Sequence, residues 1–324
     1  MIKRRQLIGH MAATPLLASL PAMAQAYPDK PIKIIVPLPP GSPPDVLARH
    51  LSEAVSRNWR QPVVVENRPG ATGMIGMQAL SRSAPDGYTV GVMFLTHTVL
   101  PELIGPLPYN TATDFAPIAN LVWLYNVLVV PATSNILTLQ DLITQAKAQP
   151  NQLNYGSGGN GSPAHLVAES FCQASNVKMT HVPFKGPAEA VASLMGNQIT
   201  AMFATVPSAA ALVRSGKLRA IAVTSPQRLS ALPNVPTLAE SGVSGVELKE
   251  WEGLVAPAGT PKVIVDKWNQ ELFQVLASTE LRAKLADLGM SVVPSHPSND
   301  FADLIRKELD HWGRFVRTTG LRPS

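Results

Sequence analysis

The sequence predicts an α/β protein whose sheets run mainly parallel and are flanked by helices. Three observations lead there. Strand and amphipathic-helix patterns alternate along most of the chain. Hydrophobic residues make up 45% and charged residues 15% of the 324, enough for a sizeable core and too little charge for a disordered chain. Thirty prolines, roughly twice the usual share, mark many short elements with hard stops and exclude a long-helix bundle. The length suits two domains. The single cysteine, Cys172, excludes an internal disulfide framework and a cysteine-rich metal site, and its place beside Phe171 on an apolar helix face reads as core.

Taken in order, Ile32–Val36 reads as a buried strand, broken by the proline-rich stretch 37–44. Asp45 then opens a helix with Leu47, Leu51, Ala54 and Val55 on one face. Val63–Val65 is the next strand, and Gly70, Gly73 and Gly76 mark a tight entry to a second helix. Pro85-Asp86-Gly87 is a turn before a strand at 88–94. The second half repeats the style with different residues. Leu128–Val130 is a strand, and Thr138-Leu139-Gln140-Asp141 is a capping-box helix start. Leu153–Tyr155 runs into a glycine-rich loop before a helix whose N-cap is Ser162 and whose first residue is Pro163. Ile199–Phe203 and Leu218–Val223 are further strands. Beyond Pro261 the chain reads as mostly helical, ending in a stripe of Phe301, Leu304, Ile305, Leu309, Trp312 and Phe315.

The first 26 residues read as an export signal instead of fold. Lys3, Arg4 and Arg5 form a basic head, Leu7–Met23 is moderately apolar, and Ala24-Gln25-Ala26 is a small-x-small cleavage pattern. The paired Arg4-Arg5 also fits a twin-arginine signal. These residues hold three basic side chains and no acidic one. The remaining 24 basic and 22 acidic groups leave only +2, so no nucleic-acid footprint remains. No other apolar run reaches the length that spans a bilayer.

Two loops share one design: a strand ends, a Gly/Pro/Ser-rich stretch follows, and a helix begins. They are Pro39-Pro40-Gly41-Ser42-Pro43-Pro44-Asp45 and Gly156 to Ser162. Helix N-termini present unpaired N–H groups and the positive end of the helix dipole, which suits a carboxylate or phosphate. Gly156, Gly158 and Gly161 also fit a dinucleotide G-x-G-x-x-G. The preceding strand is short and polar, and no acidic residue stands near the required spacing, Glu169 being too early and Glu189 late.

Catalytic patterns are thin. There is no G-x-S-x-G elbow and no H-E-x-x-H, and the seven histidines are scattered. His165 and His181 without a third ligand make no metal site. An exported hydrolase using Ser157 or Ser162 with His165 is the enzymatic alternative.

Nine short motifs in one order then define a resemblance. They begin with Tyr27-Pro28-Asp29-Lys30-Pro31-Ile32 and Val36-Pro37-Leu38-Pro39-Pro40-Gly41, with Asp45 and Ala48-Arg49 following. Val65-Glu66-Asn67-Arg68-Pro69-Gly70-Ala71, Pro85-Asp86-Gly87-Tyr88-Thr89 and Asp114-Phe115-Ala116-Pro117-Ile118 come next. Tyr155-Gly156-Ser157 to His165, His181-Val182-Pro183-Phe184-Lys185-Gly186, Gly216-Lys217-Leu218-Arg219-Ala220, and Trp251-Glu252-Gly253-Leu254 with Ala256–Pro261 complete the set. Together they span almost all of residues 27–324, which resembles the Bug family, the extracytoplasmic receptors of tripartite tricarboxylate transporters.

The resemblance implies a type II-like periplasmic binding protein, an α/β fold of two lobes with the ligand cleft between them. Lobe 1 would be 27–126 plus 254–324 and lobe 2 would be 127–253, with the chain crossing near 124–128 and returning near Trp251–Gly253. It implies a monomeric receptor, not an enzyme. The receptor would close on a small carboxylated solute by hinge motion and deliver it to membrane permease subunits, without cofactor, metal or nucleic acid. A sensory partner in place of a permease is the alternative. The implied ligand set is Gly41, Ser42 and Asp45 in the first loop, and Thr96 and His97 in a second. Ser157, Gly158, Asn160, Gly161, Ser162 and His165 form the third, with Thr205 after the strand ending in Met202-Phe203. Asp45 reads as a helix cap more than a ligand contact, since two carboxylates repel. Two departures stand out. The family's first loop usually reads Gly-Gly where this chain has Gly41-Ser42-Pro43-Pro44. An acidic residue is frequent where this chain has Ala204-Thr205.

Overall fold

The computed structural model describes residues 27–246 and 248–322; the expected export segment lies outside them. The chain forms two mixed sheets. The first half supplies β1 (Ile32–Val36), α1 (Pro43–Trp59), β2 (Val63–Asn67), α2 (Met74–Ser81), β3 (Thr89–Phe94), α3 (Thr96–Leu103) and β4 (Phe115–Leu124). Without a reversal the chain passes through Tyr125 into β5 (Asn126–Pro131). Next come α4 (Leu139–Ala148), β6 (Asn154–Ser157), α5 (Pro163–Ser175), β7 (Thr180–Pro183), α6 (Pro187–Met195), β8 (Ala201–Thr205), α7 (Val206–Arg214) and β9 (Leu218–Val223). It returns in β10 (Glu250–Pro257) and ends with α8 (Lys262–Leu276), α9 (Thr279–Asp287), β11 (Met290–Val292) and α10 (Ser298–Thr319).

The first sheet has the order β11-β4-β10-β3-β1-β2 and the second β7-β6-β8-β5-β9. Most strands in each point one way, as right-handed strand–helix–strand units require. The exceptions are informative. β5 is antiparallel to both its neighbours, β8 and β9, and β10 is antiparallel to both of its own, β3 and β4. These are the two strands by which the chain enters each sheet from the other. The short β11, antiparallel to β4, was not legible in the mostly helical reading of the C-terminal part. The strand expected at 199–203 lies two residues later, at Ala201–Thr205. The expected lobe limits, after residues 126 and 253, fall inside β5 and β10. Glu250–Gly253 already pair with β4 in the first sheet.

Packing follows the apolar patterns. All eight residues of β10 are buried, as a central strand covered on both faces demands. α1 buries Leu47, Ala48, Leu51 and Val55. α10 buries Phe301, Ile305, Trp312 and Val316, with Leu304, Leu309 and Phe315 half-covered beside them. Thr138 and Asp141 form the expected reciprocal cap at the start of α4. Gly253 leaves β10 without a side chain where the Phe301 ring seats: a Cβ there would stand 2.2 Å from Phe301 Cζ and 2.6 Å from the Ala119 carbonyl oxygen.

Candidate ligand-binding site

The loops at the carboxyl ends of β1, β2, β3, β6, β7 and β8 meet between the two sheets, the place where open α/β sheets hold ligands. They line a partly open cavity of about 60 Å³. The first sheet contributes Leu38, Pro43, Pro44, Thr72, Phe94 and Thr96. The second contributes Gly158, Ser162, Pro163, Ala164, Pro187, Met202 and Thr205. Glu250 and Glu252 of β10 complete the lining. The two sides touch around it. A Cβ on Gly159 would stand 3.1 Å from Thr72 Oγ1. Gly161 at φ +73° leaves no room for one, which would lie 2.9 Å from Leu103 Cδ2.

Five helices begin at this cavity. Pro43 and Pro44 open α1, Thr96 opens α3, Ser162 caps α5, Pro187 opens α6 and Thr205 caps α7. Each turns the positive end of its dipole toward the same space. Proline at the first helical position supplies fixed φ and removes an N–H that would be orphaned in any case. In α5, Leu166 is the first residue to donate within the helix, to the Ser162 carbonyl. Ala164 and His165 therefore carry first-turn N–H groups with no intrahelical acceptor. Thr96 Oγ1 and Ser162 Oγ are buried in the lining with no hydrogen-bond partner in the protein.

Of the residues expected from sequence, Thr96, Gly158, Ser162 and Thr205 line the cavity, and the others stand behind it. The first loop uses its donors internally. The Gly41 N–H donates to Asp45 Oδ2 (2.9 Å), and Ser42 donates through both N (3.3 Å) and Oγ (2.7 Å) to the Pro39 carbonyl. Asp45 also accepts from Arg49 Nε (3.0 Å) and Asn67 Nδ2 (2.8 Å). Burial opposes its charge, but these hydrogen bonds outweigh it and hold the carboxyl below its ordinary range. With two prolines besides, this loop shows the cavity an apolar face. Arg49 is committed to Asp45 and Asn67, and Arg68 to Glu66, so neither reaches into the cavity lining.

The glycine-rich loop is held from behind by stacked rings. His165 and His181 lie parallel with centroids 4.0 Å apart, and Tyr155 stacks on His181 at 5.0 Å. His165 Nδ1 accepts the Gly161 N–H (3.1 Å), and His181 Nε2 shares a hydrogen bond with Ser157 Oγ (2.6 Å). Burial lowers His165 to about 3, with His181 adding to the effect, and burial lowers His181 to about 4, so both rings are neutral near pH 7. This geometry does not form the alternative hydrolase pairing. His165 bonds to neither serine, and Ser157 is sealed from solvent and also bonded to Gly159. His97 is fully buried beneath the α3 start, its Nδ1 against the Phe94 backbone, and burial lowers it to about 3. Asn160 lies in the loop without lining the cavity.

Sequence reading missed Thr72, Phe94, Pro187, Glu250 and Glu252. The glutamates are the most consequential, 6% and 4% exposed. Burial pushes Glu250 up to about 8, partly offset by its hydrogen bond from Asn126. Burial also raises Glu252 well above the carboxylate range, and Glu250 raises it further. Among the described residues no group of three or more His, Cys, Asp or Glu side chains is placed to hold a metal, and no helix is long and apolar enough to cross a membrane.

A two-lobed α/β protein with one cavity ringed by helix N-termini is a solute-binding protein by architecture. The family model of the tripartite tricarboxylate transporter family receptor matches residues 47–321, and the chain belongs to that family. It is 34% identical over 320 residues to Protein BugT of Bordetella pertussis, covering 97% of each chain. Among solved structures it is similar to Rpa4515 of R. palustris with adipate, at TM-score 0.88 and 30% identity over 92% of this chain and all of that one. It is also similar to MatC of Rhodopseudomonas palustris with bound malate, at TM-score 0.84 and 29% identity over 90% of this chain and all of that one. The family is one of solute-binding receptors whose solved relatives are periplasmic binding proteins.

Proposed function

We propose that this protein is exported, cleaved after Ala26, and captures a small carboxylated solute in the periplasm by hinge closure, for delivery to the permease subunits of a tripartite tricarboxylate-type transporter. One observation carries the reading: five helix N-termini, with the unpartnered hydroxyls of Thr96 and Ser162, converge on one cavity between the two sheets. Buried hydroxyls without partners cost free energy that a ligand oxygen recovers. The adipate and malate bound to the two relatives belong to the same chemical class. The two lobes move as bodies about Tyr125 and the segment entering β10, and ligand contacts to both favour the closed arrangement. Thr96, Gly158, Ser162 and Thr205 touch the solute. Gly41, Ser42, Asp45, His97, Ser157, Asn160, Gly161 and His165 shape the loops that present them.

A thermal-shift screen of residues 27–324 against mono- and dicarboxylates, amino acids, sugars and nucleotides tests this. A solute at a hundred times its dissociation constant adds about 2.7 kcal/mol, several degrees in Tm. A shift with carboxylates is expected. A shift only with a sugar or nucleotide refutes the reading.

A further inference from the structure

Glu250 and Glu252 are two apart on β10, so their side chains leave the strand on one face. That face lines the cavity, while Trp251 between them turns away and packs edge-on against Phe301, centroids 5.4 Å apart. Asn126 Nδ2 donates to Glu250 Oε1; Glu252 Oε2 is buried with no partner. No Lys, Arg or His side chain lines the cavity to neutralise them. The charged groups on neighbouring elements are engaged elsewhere. Lys249 Nζ sits over the Trp123 ring at 3.9 Å, Glu308 accepts from Trp312, and Arg49 is held by Asp45. The cavity thus has two poles. One is built of helix N-termini and unpartnered hydroxyls, the other of two acids without a base. A solute with a carboxylate at each end answers the first pole and finds no positive group at the second.

We propose that the solute is an aminocarboxylate, its carboxylate facing the helix N-termini with Thr96 and Ser162, and its cationic nitrogen held between Glu250 and Glu252. The inference rests on the receptor reading and narrows it to zwitterions. Leu38, Phe94 and Met202 in the lining suit an apolar stretch between the two ends. The buried acids hold protons in the empty cavity. A cation stabilises the carboxylate form instead, so binding at neutral pH expels about one proton.

Isothermal titration of residues 27–324 at pH 7, in two buffers of different ionisation enthalpy, reads both affinity and proton release. The probes are ε-aminocaproate, adipate and caproate, γ-aminobutyrate, succinate and butyrate, and aspartate set against succinate. In at least one set the amino compound is expected to bind at least tenfold tighter than its dicarboxylate and monocarboxylate partners, with proton release. Glu252→Gln and Glu250→Gln should each remove that preference while leaving dicarboxylate binding unchanged or tighter. A dicarboxylate that binds as tightly as the amino compound, or a preference that survives both variants, overturns the proposal and leaves the receptor reading intact. Failure of every carboxylate probe overturns both.

Discussion

Glu250 makes a quantitative test of how the cavity is built, independent of any ligand. Its carboxyl is raised from an ordinary 4.5 to about 8, chiefly by burial and despite the Asn126 hydrogen bond. A group whose folded pKa lies above its unfolded one contributes stability that is fully present below the unfolded value and is lost as pH rises through the folded one. Each pH unit of separation is worth about 1.4 kcal/mol, so the whole span amounts to roughly 5 kcal/mol, of which about 3 is lost between pH 5 and 8. Glu250→Gln keeps the shape and the acceptor for Asn126 but carries no charge to bury. Relative to the parent it should be close to neutral at pH 5 and about 3 kcal/mol more stable at pH 8, several degrees in Tm. Relief of Glu252, raised partly by Glu250, adds in the same direction. The parent's own profile is a dome. His97, His165 and His181 have lowered values, so their contribution is present above about 6.5 and lost as pH falls. They are common to both proteins and cancel in the difference. Urea unfolding of ligand-free protein at pH 5, 6, 7 and 8 gives that difference directly. A difference that does not grow with pH would refute the claim that this carboxyl is buried against the cavity.

Three further outcomes follow from named contacts. Gly253→Ala forces a Cβ into Phe301 and the Ala119 carbonyl and should cost about 3 kcal/mol, read as a lowered denaturation midpoint; a wild-type midpoint would contradict the packing of α10 on β10. Asp45→Asn weakens the anchor of the Gly41 N–H and should cost about 2 kcal/mol near pH 7, with Arg49, more than half exposed, adding little. Because the Asp45 carboxyl is lowered, that cost should shrink as pH falls through its folded value, which acid unfolding of the two proteins measures. Thr96→Val and Ser162→Ala remove buried hydroxyls that bond to nothing in the empty protein. Each should leave the midpoint unchanged or higher while weakening solute binding roughly fivefold to tenfold by titration calorimetry.

The fold was legible because its signals are local. Alternating periods, prolines at helix starts and the Thr138–Asp141 cap mark elements that form where they are marked, and Leu218–Val223 and Pro163 fall on their expected residues. What periodicity does not encode is direction within a sheet. Nothing in Asn126–Pro131 or Glu250–Pro257 distinguishes an antiparallel central strand from a parallel one, since both strands are buried on two faces whichever way they run. Nor did Met290–Val292 stand out, a three-residue strand whose place depends on pairing with β4.

The same limit explains the site. The glycine-rich loops announce themselves by composition, and the residues read from them fell either into the lining or into the layer that holds it. Glu-Trp-Glu-Gly has the alternation of an ordinary half-exposed strand, polar side out and tryptophan in. In the folded chain there is no outside at that position. β10 runs as a central strand of the first sheet, and the face that would meet water meets the cavity between the lobes. Two side chains that would be solvated on an edge strand become nearly sealed acids, which is why their pKa values rise and why Glu252 is left without a partner. In the proposed function the loops, whose prolines and internal hydrogen bonds tie up many of their own donors, set the general affinity for a carboxylate. In the proposed aminocarboxylate reading, the strand by which the chain re-enters the first sheet sets what the other end of the solute must be. Substitutions in the loops should therefore change affinity across solutes together, and substitutions at 250 and 252 should change the order in which solutes bind.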